Sequence, residues 1–209
     1  LKQASALEIL SHRILWSLFF LLLLLAITRR VGLFRLETQS VFTQPRKMLG
    51  ILATASLISV NWLVYIWAVN ANRIVETSLG YYINPLVNVL IGVLLLKEEL
   101  SKRQYFAVFL AACGVLNLIF HFGNVPWVAL SLAVSFSLYG LCKKTLGLGA
   151  TTGIVLETGL LAPLALTYLS WLHFTGNSVF GPVMPFETVM LVGAGIVTAL
   201  PLVLFANAA

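Results

Sequence analysis

Long apolar stretches that lack Lys, Arg, Asp and Glu recur along the chain, each close to the length of a membrane-spanning helix. A bilayer core about 30 Å thick is crossed by roughly 20 helical residues. The apolar residues come in blocks such as Leu21–Leu25 rather than in the strict alternation of a transmembrane barrel strand. The longest stretch, 104–142, is divided by a turn-like cluster at 121–126. The pattern predicts seven transmembrane helices, near 14–28, 48–72, 77–96, 104–121, 126–142, 158–172 and 188–209.

The composition supports this interpretation. Of the 209 residues, 60% are hydrophobic and 10% are charged, whereas a soluble domain carries about 25% charged residues. Such a chain has too little polar surface for a soluble enzyme or a disordered protein. Its two cysteines, Cys113 and Cys142, lie in or at the end of apolar stretches, which argues against a secreted disulfide scaffold. We therefore expect an all-α polytopic membrane protein.

The basic residues predict which loops face the cytoplasm. The predicted loops 29–47, 97–103 and 143–152 alternate with the others and hold ten of the 13 lysines and arginines. The opposite loops hold only Arg73, with Glu76 nearby at the predicted external mouth of the third helix. By the positive-inside rule the ten-charge side is cytoplasmic. With seven helices the N-terminus is then external.

The third predicted helix holds the strongest candidate site. Tyr81, Asn84 and Asn88 recur at helical spacing with Thr77 and Gly92, so they share one face. Pro85 deprives the Tyr81 carbonyl of its helical donor, which predicts a hinge that needs another partner in a membrane. Polar groups within a span commonly line a substrate path, but amides also bond neighbouring helices as packing contacts. Both interpretations remain open.

The second predicted helix adds Asn61 and Tyr65 to this candidate site, since both are polar positions inside the span. Trp67 and Asn72 lie towards its external end, where interfacial anchoring explains them better. The predicted substrate-binding residues are therefore Asn61, Tyr65, Tyr81, Asn84 and Asn88, with Pro85 as the hinge.

Two carboxylates are candidates for ion coupling. Glu8 and Glu157 each follow a leucine at the start of a predicted helix, and the stretches around them echo each other as in an inverted repeat. An ionisable group within a span is suited to proton coupling. The alternative is a helix-start acid stabilised by the helix dipole.

No catalytic, metal-binding or cofactor motif is present in the sequence. His12, His121 and His173 fall at predicted external ends without metal-ligand spacing, and no nucleophile motif or phosphate-binding loop occurs. We expect no enzymatic activity, no cofactor and no metal.

Three stretches form specific motifs. Residues 61–70 begin Asn-Trp and end Trp-Ala-Val-Asn, and residues 76–88 read Glu-x-Ser-Leu-Gly-Tyr-Tyr-Ile-Asn-Pro-Leu-Val-Asn. Residues 135–141 read Ser-Phe-x-x-Tyr-Gly-Leu, and two lysines follow Cys142. These stretches resemble the RarD-type permeases, which belong to the EamA group of the drug/metabolite transporter superfamily. The resemblance extends over essentially the whole chain.

The resemblance implies ten helices arranged as two inverted repeats of five in the bacterial inner membrane. Residues 1–122 would be the remainder of the first repeat, with family helices two to five, and 123–209 the start of the second, with helices six to eight. The chain begins at Leu1 and ends within an apolar run, which also suggests a fragment.

The implied function is alternating-access transport of a small metabolite or drug-like solute, with a link to chloramphenicol sensitivity. Its expected partners are that solute and the lipid bilayer; a homo-oligomer stays open, and nucleic acid is not expected. A non-transporting membrane sensor or assembly subunit is the main rival. A membrane-embedded enzyme is disfavoured, because the chain has no Asp and no nucleophile–base pair.

Overall fold

Eight α-helices make up the part of the chain that the computed structural model describes, residues 4–122, 126–181 and 185–208. Within these residues there is no strand, which confirms the all-α prediction. Of the turn predicted at 121–126, residues 123–125 lie outside the described residues, and 121 and 122 are the last two residues of α5. The helices are α1 (Ala6–Ile27), α2 (Val31–Thr43), α3 (Pro45–Asn70), α4 (Ile74–Leu95), α5 (Lys102–Phe122), α6 (Trp127–Leu146), α7 (Ala150–Phe174) and α8 (Pro185–Ala208).

All seven predicted spans are helical in the structure. Among the described residues, α1, α3, α4 and α7 are long and apolar enough to cross a membrane. Helix α8 contributes a shorter apolar segment, Pro185–Pro201. The chain is therefore polytopic, as the pattern of apolar stretches predicted.

Helix α2 is an element that the sequence interpretation missed, because residues 29–47 were expected to form a loop. The chain leaves α1 through a tight turn in which Arg29 adopts a positive φ of 52°. The Arg29 and Arg30 amides donate to the carbonyls of Ala26 and Leu25, which closes the end of α1. A search for charge-free runs cannot find α2, since Arg35 and Glu37 interrupt its 13 residues.

Helices α1 and α7 begin earlier than predicted, at Ala6 rather than residue 14 and at Ala150 rather than residue 158. The prediction stopped at charged side chains, but here those side chains belong to the helices. Glu8 and Glu157 are buried, and the Arg13 guanidinium donates to Thr198 Oγ1 at 2.9 Å. Partners distant in sequence therefore keep charges inside apolar helices.

The chain forms two compact units whose boundaries fall within α3 and α6. One unit comprises Leu1–Ser56 and Lys143–Ala209, and the other comprises Leu57–Cys142. The first has a core of buried side chains from α1, α7 and α8, namely Leu21, Leu25, Ile154, Val155 and Ala199. The second is built around contacts of α6 with α3 and α4. The division into repeats at residues 122 and 123 stays a prediction.

Helices α1 and α8 approach each other closely at Gly195. A Cβ atom there would overlap Trp16 and lie 2.7 Å from the Ser17 amide nitrogen. The Ser17 hydroxyl donates to the Gly195 carbonyl at 3.0 Å across the same contact. Only glycine permits this approach, in the manner of small-residue contacts between membrane helices.

Candidate functional site

Asn61 of α3 is bonded to α6. Its side-chain nitrogen donates to the Leu132 carbonyl and to the Ser135 hydroxyl, both at 2.9 Å. The Ser135 hydroxyl also donates to the Leu132 carbonyl at 3.2 Å, so the three groups form a small network. The amide thus joins two helices in an otherwise apolar region, where Ala68, Val128 and Leu132 are buried.

Asn84 makes a corresponding contact between α4 and α6. The Ser137 hydroxyl donates to the Asn84 side-chain oxygen at 2.8 Å. Gly80, one turn earlier, allows close packing, because a Cβ there would lie 3.2 Å from the Ala129 carbonyl oxygen. The apolar part of this contact is the buried cluster Leu79, Ile83, Ala129 and Ala133.

The other predicted site residues are less covered by the chain. Tyr81 and Asn88 are exposed on α4, and Tyr65 is half-buried on α3. The rings of Tyr65 and Tyr81 meet edge to face with centroids 6.3 Å apart. Pro85 is exposed, and α4 remains helical on both sides of it. The structure thus brings Tyr65 to Tyr81 and both inner asparagines to α6.

Ser135 and Ser137 are the polar residues that the sequence interpretation left out of the site. Each supplies a hydroxyl to one of the two asparagines. A buried amide in an apolar helix needs such a partner, because an unsatisfied polar group is costly there. The signal in the sequence was the repeated serines of α6, of which only Ser135 was considered, as part of the family resemblance. The substrate-binding assignment itself stays a prediction.

In the unit Leu57–Cys142, Arg73 interacts with one acidic and two aromatic side chains. Its guanidinium donates to both Glu76 oxygens, at 2.6 and 2.9 Å. It also lies over the Trp127 ring, 4.9 Å from the centroid, and 5.7 Å from that of Trp67. Paired hydrogen bonds and cation–π contacts fix the side chain at the start of α4.

Glu157 forms a buried ion pair with Lys143. The lysine ammonium lies 3.4 Å from one carboxylate oxygen and 3.5 Å from the other. Glu157 is 2% exposed and lies about two turns inside α7, whose first turn has no acid. The helix-start alternative is therefore wrong for Glu157. The lysine stem passes over Gly153, where a Cβ would be 3.2 Å from Lys143 Cε.

Glu8 is equally buried but has different partners. It occupies the first turn of α1, and its amide donates to the Ser5 hydroxyl at the helix cap. One carboxylate oxygen accepts from the Val179 amide at 2.8 Å and from the Ser178 hydroxyl at 3.1 Å. His12, one turn later, is buried, and its ring stacks on that of Phe180 with the centroids 4.6 Å apart.

The described residues contain no group of three or more His, Cys, Asp or Glu side chains that could hold a metal ion. Cys113 is exposed and Cys142 is half-buried, and neither forms a disulfide. Besides amides, hydroxyls and phenols, the described residues therefore hold the half-buried Arg73–Glu76 pair, the buried Lys143–Glu157 pair and the buried side chains of Glu8 and His12.

Comparison with known proteins identifies the class. The model of the EamA-like transporter family matches residues 1–120. An uncharacterized transporter of Vibrio cholerae is 48% identical over 209 residues, all of this chain and 68% of the relative. Protein RarD of Escherichia coli is 42% identical over 202 residues, 97% of this chain and 67% of the relative. No solved structure matches the chain.

A third relative is more distant. The chloramphenicol-sensitive protein RarD of Pseudomonas aeruginosa is 33% identical over 172 residues, 82% of this chain and 58% of that protein. The apolar helices and these relatives define a multi-pass membrane transporter. The chain belongs to the EamA-like transporter family, as a RarD-type permease of the drug/metabolite transporter superfamily.

Proposed function

We propose that this chain is the major part of a bacterial inner-membrane permease that moves a small metabolite or drug-like solute by alternating access. Membership of a transporter family supports transport. The observation that carries the proposed site is the polar face of α4, where Asn84 bonds α6 while Tyr81 and Asn88 stay exposed. A surface of phenol and amide groups within a span is costly unless water, a solute or another helix meets it, and we propose a solute path here.

The five predicted residues take two roles in this proposal. Asn61 and Asn84 hold α3 and α4 on α6 and so fix the shape of the polar face. Tyr65, Tyr81 and Asn88 contact the solute directly, and Pro85 is the hinge of α4. The inner amides are given the packing role because they are hydrogen-bonded to α6, and the other groups contact the solute because Tyr81 and Asn88 are exposed and Tyr65 meets Tyr81.

The chemistry of the face favours an uncharged or zwitterionic amphipathic solute. None of the five side chains carries a charge at neutral pH, and two of them offer aromatic rings. Amides supply both donors and acceptors, while the rings stack on apolar surface. The name of the Pseudomonas relative makes chloramphenicol, an uncharged amphipathic molecule, the first probe to use.

Glu157 is the proposed coupling carboxylate, and Glu8 is the second candidate. A proton that binds Glu157 neutralises its charge and releases the attraction to Lys143, which gives a proton-dependent change within α6 and α7. Protonation of Glu8 would weaken the hydrogen bond from the Val179 amide without breaking it, because a neutral carboxyl oxygen still accepts but less strongly than a carboxylate.

The test pairs transport with stability in vesicles that contain the purified protein. Uptake of radiolabelled chloramphenicol is measured for the unmodified protein, Asn88→Leu and Asn84→Leu, each normalised to folded protein. We expect Asn88→Leu to keep its melting temperature and lose uptake. Asn84→Leu should lower the melting temperature, because an interhelical hydrogen bond contributes about 0.6 kcal/mol on average.

A sensor or assembly subunit is the rival function, and the bonds of Asn61 and Asn84 to α6 favour it, since they are packing contacts. Normal uptake per folded molecule in Asn88→Leu, together with reduced stability, would refute the proposed site. Failure of the unmodified protein to move chloramphenicol and a panel of labelled neutral metabolites would favour the rival.

A further inference from the structure

Helix α2 has an outer surface that is unusual for a helix in contact with water. Four large apolar side chains point outwards and are between 52% and 68% exposed: Val31, Leu33, Leu36 and Phe42. Arg35, the only basic residue of the helix, is also exposed, whereas the only carboxylate, Glu37, is half-buried and accepts the Gly149 amide. The exposed surface of α2 therefore combines apolar and basic side chains, whereas a helix at a water boundary normally presents mainly polar side chains to the water.

The inner side of α2 is firmly attached to the first unit. Val41 is almost fully buried, and Phe34 packs against the core around Leu21. Glu37 accepts the Gly149 amide at 3.0 Å. Gly149 is the N-cap of α7 and has no side chain to cap it, so Glu37 satisfies a free amide at that helix end. The outward surface is therefore held in a fixed orientation.

The position of α2 in the chain places it at the edge of the bilayer. It joins α1 and α3, both of which are long and apolar enough to cross a membrane. With 13 residues it measures about 20 Å, at 1.5 Å per residue. A span needs roughly 20 residues, so α2 cannot cross the bilayer itself.

The exposed charges on and beside α2 all have one sign. Arg29, Arg30, Arg35 and Arg46 are exposed, and residues 28–47 contain no acid besides Glu37. Basic and apolar side chains side by side are typical of helices that lie in the headgroup region of anionic membranes. A second protein would have to supply a surface that is both apolar and acidic.

We propose that the surface formed by the four exposed apolar side chains of α2 and by the four arginines on and beside the helix binds anionic phospholipid. The apolar side chains enter the boundary between headgroups and acyl chains, and the arginines bind lipid phosphates. This inference goes beyond solute transport and does not depend on it. It assigns a lipid site on the side that the basic residues predict to be cytoplasmic.

The experiment measures which lipid lies beside Leu36. Cys113 and Cys142 are replaced by alanine, Leu36→Cys is labelled with the fluorophore NBD, and the protein is reconstituted in equimolar phosphatidylcholine and phosphatidylglycerol. Two samples are compared: in one the phosphatidylcholine carries brominated acyl chains, and in the other the phosphatidylglycerol does. The bromine atoms quench the label on contact. We expect quenching by both lipids and severalfold stronger quenching by brominated phosphatidylglycerol. About 1 kcal/mol per basic residue near an anionic surface corresponds to about fivefold enrichment.

Charge variants test the arginines separately from the fold. Replacement of the four arginines by glutamine should remove the preference for phosphatidylglycerol, while replacement by lysine should retain most of it. The matched control replaces Lys97, Lys102 and Arg103 by glutamine, in another predicted cytoplasmic loop, and should retain the preference. Unchanged melting temperatures show that all variants fold.

Three results would overturn the proposal. Absence of quenching by either lipid would place the surface in water or against protein. Energy transfer between differently labelled copies, with little lipid quenching, would identify a second copy of the chain as the occupant. Equal quenching by the two lipids would leave an interfacial helix without anionic specificity.

Discussion

Glu8 and Glu157 lie in the same unit and are 1% and 2% exposed, yet they are stabilised by different kinds of partner. Glu8 accepts two hydrogen bonds from uncharged donors, the Val179 amide and the Ser178 hydroxyl. Glu157 is paired with the Lys143 ammonium. Both stand in stretches that echo each other in sequence, so the difference comes from their surroundings.

The position along the helix accounts for this difference. Glu8 is in the first turn of α1, where the helix dipole favours a negative charge and uncharged donors are sufficient. Glu157 is about two turns inside α7, beyond the range of the dipole, and its charge needs a cation. A buried carboxylate deeper in a helix therefore depends more strongly on one partner.

The largest effect is expected for Lys143→Met. The substitution keeps most of the stem but leaves the Glu157 carboxylate buried without its cation. Breaking a buried ion pair costs about 3–5 kcal/mol. We expect a loss of that size in the free energy of unfolding, measured by denaturation in mixed micelles.

The double variant Lys143→Met with Glu157→Gln is the control, because it removes both charges. It should recover most of the lost stability, since replacing both members of a buried pair is often nearly neutral. If the double variant is as unstable as Lys143→Met alone, the loss of stability does not come from breaking the ion pair with Glu157.

A smaller effect is expected for Gly153→Val. Its side chain would occupy the path of the Lys143 stem, 3.2 Å from Cε, and displace the ammonium from Glu157. Overpacking of this kind costs about 1–3 kcal/mol. Gly159→Val on the same helix is the matched control, because no atom lies within 4 Å of a Cβ there. Equal melting temperatures for the two variants would contradict the proposed path.

Glu8→Gln should be milder still. The amide oxygen of glutamine can accept from both Val179 and Ser178, so only the charge contribution is lost. Hydrogen bonds to a charged group exceed neutral ones by about 1 kcal/mol, which sets the expected loss of unfolding free energy. A loss as large as that of Lys143→Met would mean that Glu8 has an essential charge partner of its own.

The smallest effect is expected for Ser178→Ala. The Glu8 carboxylate keeps the shorter bond from the Val179 amide and loses the Ser178 hydroxyl, and the Phe180 amide loses the same hydroxyl as its acceptor. A hydrogen bond contributes about 0.5–1.5 kcal/mol net, and because both lost bonds are long and partly exposed we expect a total loss of about 1 kcal/mol or less. Thermal denaturation in detergent would detect this, with Ser131→Ala on α6 as a control whose hydroxyl bonds only its own helix.

Apolar patterning predicted the helices well where they lack internal charges. The third span was expected at 77–96 and is observed at Ile74–Leu95. It placed the starts of α1 and α7 too late, at 14 and 158 rather than Ala6 and Ala150, because Glu8, Arg13 and Glu157 lie inside the helices. Their partners lie on other segments of the chain, at least 14 residues away, so local pattern cannot show that these charges are accommodated. Helix α2 was missed for a related reason, since Glu37 is satisfied by Gly149.

The candidate site was predictable in outline only. Helical spacing placed Tyr81, Asn84 and Asn88 on α4, but it could not distinguish an amide that bonds α6 from one that stays exposed. That distinction depends on Ser137, which reaches Asn84 from 53 residues away. The face of a helix follows from its own sequence, whereas the occupant of that face does not.

The ribosome makes the chain from its N-terminus, so Glu8 is present long before its hydrogen-bond partner. Its carboxylate is satisfied by the amide of Val179, which is made 171 residues later. At about 5–20 residues per second this interval lasts roughly 10 to 30 s. The continuous unit Leu57–Cys142 is completed during that time. Until Val179 is made, water must supply the hydrogen bonds of the Glu8 carboxylate, so the first turn of α1 is expected to stay hydrated and to become buried only after α7 is complete.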